Sequence, residues 1–159
     1  IADVLYEFGE ERKSRKIASA IKQYQQKSSI DTTCQLAQII AKVVNKEKNK
    51  HPATRSFQAL RIYINQELKS LAQALDKSLS VLAPGGRLVL ISFHALEHRL
   101  IKHFVNKNTS NTIPKDLPVM ASELPKPKLK ILAKIMPTKQ QIKENRRCRS
   151  AVLRVILKN

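Results

Sequence analysis

The sequence predicts an α/β fold, and three features carry that prediction. Apolar side chains recur at spacings of three and four from Phe57 through Leu60, Ile64, Leu68, Leu71, Leu75 and Leu79 to Leu82, the period of a long helix. Pro84, Gly85 and Gly86 then supply the usual stop signals of a helix. The segment RLVLISF follows at once, and its unbroken run Leu88, Val89, Leu90, Ile91 suits a strand buried on both faces. Helix, tight turn and buried strand make half of a βαβ unit.

The elements before that helix read as helices too. The opening IADVLYEFGEER enters directly on a helical pattern at Ile1. In ERKSRKIASAIKQYQQ, the residues Ile17, Ile21 and Tyr24 fall on one helical face. SSIDTTCQLAQIIAKVV follows, with Asp31 or Thr32 as N-cap and Leu36, Ile39, Ile40 and Val43 on one side. NKEKNKHPATRS breaks the pattern with charge and Pro52, as a loop or a joint between subdomains. The long helix then runs from about Ala53 to Leu82, followed by the strand.

Beyond the strand, HALEHRLIKHFVNKN is helical, with Leu96, Leu100, Ile101 and Phe104 inward and Lys102, His103 and Lys107 outward. Residues 109–128 hold four of the seven prolines and form an irregular excursion. LKILAKIM and SAVLRVIL are strands, and TKQQIKENRRCR between them gives a short helix and a basic loop. Three strands, all in the last half, do not complete a doubly wound sheet. The expectation is therefore that the chain is a fragment, with part of its sheet before residue 1.

Composition narrows the partners. Of 159 residues, 30 are Lys or Arg and 12 are Asp or Glu, a net charge of +18. Fourteen of the basic side chains but only three of the acidic ones fall in residues 101–159. Such an excess points to a polyanion, because each phosphate neutralised releases condensed counterions. The basic residues are scattered over several elements and do not line one amphipathic helix, which favours nucleic acid over a membrane surface. No apolar run has the length of a membrane span and no signal-peptide pattern opens the chain. Cys34 and Cys148 lack a Cys-x-x-Cys partner, so they read as two ordinary thiols in a reducing cytosol. Four Phe, three Tyr and no Trp argue against an aromatic stacking platform.

The chemistry-bearing residues form three groups. His94 and Glu97 fall within one turn, with Arg99 nearby, and as a trio they could serve acid–base chemistry or clamp an anion. The reading in which His94 and Glu97 cap the following helix ranks ahead of that. His94 and His98 have the spacing of two metal ligands but no third, so no metal site is expected. In KHPATRSFQALR, the residues Lys50, His51, Arg55, Gln58 and Arg61 surround Phe57 and suit phosphate or base contacts. Their plainer reading is a solvated helix start, capped by Thr54 or Ser56. Arg146, Arg147 and Arg149 in NRRCRS form a phosphate-contact loop before the last strand. The phosphate-binding, dinucleotide-binding, zinc-protease and serine-elbow motifs are all absent.

Four segments together, FGEERKSRKIASAI, KHPATRSFQALRIYINQEL, LAPGGRLVLISFHALEHRLIKHF and ENRRCRSAVLRV, resemble the small-subunit rRNA cytosine-N4 methyltransferases, the RsmH or MraW family. The resemblance covers most of the chain outside the proline-rich excursion. It implies a bacterial cytoplasmic enzyme that moves a methyl group from S-adenosylmethionine to the N4 amine of a cytidine in small-subunit ribosomal RNA. It also implies a Rossmann-like methyltransferase sheet carrying an inserted all-α domain. Residues 1–50 would belong to the inserted helices and 51–159 to the C-terminal part of the sheet domain, whose last two strands pair antiparallel. The family's glycine-rich cofactor loop, acidic ribose-binding residue and Asp-Leu-Gly-Val-Ser-Ser motif precede the insertion, and none occurs here. His98 stands where the family commonly has Asp, Ala95 where Ser is usual, and Arg146 where Pro is common.

These expectations assign no catalytic and no cofactor-binding residue to the chain. His94, Glu97 and Arg99 shape a shared cleft, and S-adenosylmethionine serves only the full-length enzyme. The partner is ribosomal RNA or the small ribosomal subunit, with no membrane, and a truncated sheet edge allows self-association. The competing class is a non-enzymatic, basic, helical nucleic-acid-binding module. The strand after Pro-Gly-Gly argues against it.

Overall fold

A computed structural model describes residues 1–45, 50–109 and 127–159. Residues 46–49 of the charged loop and 110–126 of the proline-rich excursion lie outside the described residues. The chain forms two compact units, Ile1–Glu67 and Leu68–Asn159. Charge and Pro52 suggested a loop or a joint near residue 50; the two compact units part after Glu67. The reason is local: the helix that follows Pro52 packs on the first helix of the chain and so stays with it.

The first unit contains helices α1 (Ala2–Gly9), α2 (Ser14–Gln25), α3 (Thr33–Val43) and α4 (Thr54–Ile64). Leu5, Ile17, Ile21, Ile39, Ile40, Ala53 and Ala59 form its buried core, so the faces predicted for α2 and α3 are the ones that pack. The N-cap of α3 is Thr32 and not Asp31. Gln35 N–H donates to Thr32 Oγ1 at 3.2 Å, and Thr32 N–H donates to Gln35 Oε1 at 2.9 Å, a reciprocal capping box. At the other end of α3, Lys13 Nζ donates to the Val43 carbonyl at 3.0 Å, a cation at the negative end of the helix dipole.

Gly9 explains how α1 and α4 approach. A Cβ there would lie 2.7 Å from the Arg55 carbonyl oxygen and 3.1 Å from Ala59 Cβ, so only glycine admits the contact. The buried face of α4 is accordingly built from small residues and one large one, Ser56, Ala59 and Ile62. The predicted stripe placed Ile64 in the core, yet it is 72% exposed.

The long helix expected over 53–82 is two helices. α4 ends at Ile64, Gln66 takes a left-handed conformation with φ 50°, and α5 (Glu67–Val81) begins. Arg61 spans the break with two bonds to the Glu67 carboxylate, Nε to Oε1 at 2.8 Å and Nη2 to Oε2 at 3.0 Å. The apolar spacing continues across residues 65–66 and therefore hides the break; the Asn-Gln pair, with no glycine, carries no strong stop signal.

The second unit contains α5, β1 (Arg87–Ser92), α6 (Ala95–Thr109), β2 (Leu129–Ile135), α7 (Lys139–Glu144), a 3-10 turn (Arg146–Ser150) and β3 (Val152–Lys158). The sheet order is β1-β3-β2 and both pairings are antiparallel, with Leu88 opposite Ile156 and Ser92 opposite Val152. The last two strands thus pair antiparallel, as the resemblance implied. Leu75 of α5 and Ile101, Phe104 and Val105 of α6 pack with Leu129, Ile156, Leu88 and Leu90 on one face of the sheet. The chain end is tied in: Gly85 N–H donates to the Lys158 carbonyl at 2.8 Å, and Lys158 Nζ donates to the carbonyls of Leu79 and Leu82 at 2.7 and 2.6 Å. Gly85 itself has φ 78°, which the Pro-Gly-Gly turn requires.

One strand expectation is corrected. β1 is not buried on both faces, because Val89 and Ile91 are each 55% exposed. Among the described residues, helices cover only the face that carries Leu88 and Leu90, and β1 pairs with β3 alone. Its one paired neighbour among the described residues, β3, runs antiparallel to it. Among the described residues, no helix is long and apolar enough to cross a membrane.

Candidate functional site

The candidate residues fall in two places, one in each unit. In the first unit, His51 builds the start of α4. Its Nδ1 accepts from Ala53 N–H at 3.2 Å, while its carbonyl accepts from Thr54 N–H at 3.0 Å and from Thr54 Oγ1 at 2.8 Å. Neither Thr54 nor Ser56 is the N-cap: Ala53 holds that position without a side-chain bond. Ser56 is fully buried and its hydroxyl has no hydrogen-bond partner among the described residues. Lys50, His51 and Arg55 line a small cavity of about 20 Å³ together with Glu11, Asn45 and Thr54, room for about one water. Glu11 is only 4% exposed, and one of its oxygens accepts from Lys13 N–H at 3.0 Å. A buried carboxylate that shares this cavity with Lys50 and Arg55 offsets part of their charge. Arg61 is engaged by Glu67, and Gln58 lies one turn before it on α4.

In the second unit, the carboxyl end of β1, the start of α6 and the 3-10 turn come together. His94 is the residue before α6 and Glu97 the third residue within it. Glu97 Oε2 accepts from the Phe93 and His94 amides at 2.7 and 3.3 Å, and Glu97 N–H points to His94 Nδ1 at 3.5 Å. This is a capping box in which an imidazole replaces the usual hydroxyl, and the carboxylate also meets the positive end of the helix dipole. His94 Nε2 is buried and lies 3.3 Å from Glu97 Oε1 without hydrogen-bond geometry. The pair therefore caps the helix, as the plainer reading of the sequence held. Arg99 lies on the exposed side of α6.

His98 has different partners. Its Nδ1 bonds Ser92 Oγ at the end of β1, and its Nε2 lies 3.1 Å from the Ser150 carbonyl at the end of the 3-10 turn. A carbonyl only accepts, so Nε2 carries the proton, and in the neutral ring Nδ1 accepts from the Ser92 hydroxyl. Ser92 is completely buried, and Arg154 Nη1 on β3 reaches its oxygen at 3.5 Å. His94 and His98, read as possible metal co-ligands, thus serve two separate networks.

Arg146, Arg147 and Arg149 project from the 3-10 turn as exposed side chains. The turn is shaped by the Asn145 side chain, which accepts from Arg147 N–H at 3.1 Å, and by Ala151 N–H donating to the Cys148 carbonyl at 2.8 Å. Sequence reasoning placed these arginines and the polar end of β1 in separate groups. The structure joins them through His98 and Ser150, which are 52 residues apart. Ser150 and Arg154 were not singled out as site residues by spacing, since no local pattern links them to the end of β1.

The glycines do not form a cofactor cradle. Gly9 packs against α4, Gly86 against Leu82, and Gly85 sits in the turn before β1, at the opposite end of the strand from His94. No methyl-transfer step is assigned to the described residues.

Comparison with known proteins gives a consistent result. The profile of the MraW methylase family matches residues 1–159. The chain is 52% identical over 160 residues to the ribosomal RNA small subunit methyltransferase H of Vesicomyosocius okutanii subsp. Calyptogena okutanii (strain HA), covering 100% of the chain and 52% of that protein. The same figures hold for the protein of that name from Ruthia magnifica subsp. Calyptogena magnifica. Identity is 51% to the one from Buchnera aphidicola subsp. Acyrthosiphon pisum (strain APS), over 98% of the chain and 51% of that protein. The chain spans about half the length of these curated relatives.

Proposed function

The chain belongs to the MraW methylase family, and from that premise we propose that it supplies the RNA-facing part of a small-subunit rRNA methyltransferase. The reaction in this reading is methylation of a cytidine N4 amine with S-adenosylmethionine as donor. The observation that carries the reading is the arginine turn held at the carboxyl end of β1, where α/β proteins place ligands. Arg146, Arg147 and Arg149 would meet phosphates there, and Lys50, His51, Arg55 and Gln58 would do so separately in the first unit. His94 and Glu97 shape the cleft by fixing the start of α6, Arg99 lies beside them on that helix, and none of the three contributes a reacting group.

Cofactor contacts, in this reading, belong to the half of the relatives that the chain does not match. The bare sheet face of Val89 and Ile91 supports a Rossmann-like sheet with further cover, as does the open edge of β1. A basic binding module would share the charge but has no need of a strand whose end builds a capped, hydrogen-bonded corner.

The test is a chimera in which this chain replaces the matching half of the Ruthia magnifica relative. Folded chimera should transfer labelled methyl to small ribosomal subunits that lack the modification, with the label on cytosine N4. A folded chimera that labels no RNA contradicts the proposal. For the chain by itself, calorimetric titration should show no saturable S-adenosylmethionine binding, and micromolar binding overturns that part.

A further inference from the structure

We propose that His98 is a positioning residue, which locks the arginine turn to the end of β1 so that its side chains meet RNA phosphates in a preset arrangement. This deepens the RNA reading above and rests on it. The geometry is specific. One ring nitrogen bonds Ser92, the last residue of β1, and the other reaches the carbonyl of Ser150, the last residue of the 3-10 turn. A single rigid ring therefore ties α6, β1 and the turn together.

Both anchors are themselves fixed. Ser92 is fully buried, and its hydroxyl oxygen lies 3.3 Å from the Val152 carbonyl and 3.5 Å from Arg154 Nη1. The following residue, Ala151, leads straight into β3, which pairs along its length with β1. The turn between Asn145 and Ala151 is otherwise largely exposed and held by short-range bonds: those of its own backbone, one to the Asn145 side chain, and one from Cys148 Sγ to the Gln141 carbonyl of α7 at 3.6 Å. None of these bonds reaches α6 or β1; the His98 ring does.

A serine bonded to a histidine also suggests a nucleophile and its base. The burial of Ser92 rules that out, because no substrate atom reaches a hydroxyl with no exposed surface. The ring instead prepays the ordering of the turn. Binding a phosphate strand with a preset turn avoids fixing it at the moment of contact, which raises affinity without a new contact.

The experiment compares His98→Ala, His98→Gln and His98→Asn with the parent chain. Glutamine places an amide N–H near the position of Nε2 and keeps the bond to Ser150, whereas asparagine reaches only as far as Nδ1 and Ser92. Amide hydrogen exchange reads the latch directly. Ala151 and Cys148 should exchange about tenfold faster in the Ala and Asn variants, with Val155 in mid-β3 unchanged. Glutamine should restore the parent rate.

RNA affinity reads the role. The Ala and Asn variants should bind a small-subunit rRNA hairpin about five- to tenfold more weakly, with glutamine again restoring binding. Unchanged exchange at Ala151 in all variants overturns the latch whatever RNA does. Faster exchange with unchanged RNA affinity overturns the positioning role when Arg147→Ala/Arg149→Ala still weakens binding. If that double variant also binds normally, the RNA reading itself fails and the role fails with it. General unfolding would speed exchange at Val155 as well, which overturns a local latch.

Discussion

One oxygen of the Glu97 carboxylate accepts from two backbone amides at the mouth of α6, so a single side chain satisfies donors that the helix cannot. Glu97→Ala should cost about 1 kcal/mol of stability, the usual value for losing such a cap. Glu97→Gln keeps an acceptor oxygen and should lose distinctly less, and urea denaturation of the two variants checks the order. An alanine variant as stable as the parent contradicts the cap. At this scale the sequence was legible at two close pairings, since the His94–Glu97 spacing and the Thr32–Gln35 box are both three residues wide, but not at the start of α4, where Ala53 and neither Thr54 nor Ser56 is the N-cap. It was not legible at His98, whose partner Ser150 lies 52 positions away and enters through a backbone carbonyl, a group every residue carries. Arg61 shows the same limit. Its position on α4 suited a phosphate contact, and only the fold reveals the competing carboxylate of Glu67.

Among the elements, the helices and strands were largely readable from their periods, and the failures have definite causes. The α4–α5 break escaped because leucines continue at helical spacing on both sides of Gln66. The contact face of α4 escaped because small residues, Ser56 and Ala59, do the packing that Gly9 makes possible. At the break, Gln66 holds a left-handed backbone at φ 50°, a conformation that costs a side-chain-bearing residue and suits glycine. Gln66→Gly should therefore stabilise the chain by about 0.5–1 kcal/mol. A lowered midpoint in urea would show that the turn is not strained. The strand run Leu88 to Ile91 was identified correctly as a strand but not in its burial. An unbroken apolar run states that both faces are fit for cover, and only the fold shows that α5 and α6 cover one.

For the whole molecule, the sheet face left uncovered and the β1 edge left unpaired among the described residues have a physical consequence. Exposed apolar strands with free backbone groups invite pairing with another chain. Sedimentation should give a mass above the 18.1 kDa monomer at high concentration, falling toward it on dilution. Val89→Lys, a charge on the bare face, should shift that balance to the monomer, and a fixed monomer at all concentrations contradicts this reading of the edge. The same uncovered surfaces fit a protein whose family members are about twice as long. The central claim is that this half of the family's chain faces RNA through the turn that His98 secures. Its most direct test is RNA affinity measured against salt concentration for the parent chain and for Arg147→Ala/Arg149→Ala. The parent should lose affinity steeply with salt, and the double variant should bind more weakly with a log–log slope shallower by about 1.4–1.8, the value for two lost phosphate contacts. Equal slopes for the two proteins, or an affinity for RNA that does not depend on salt, would contradict it.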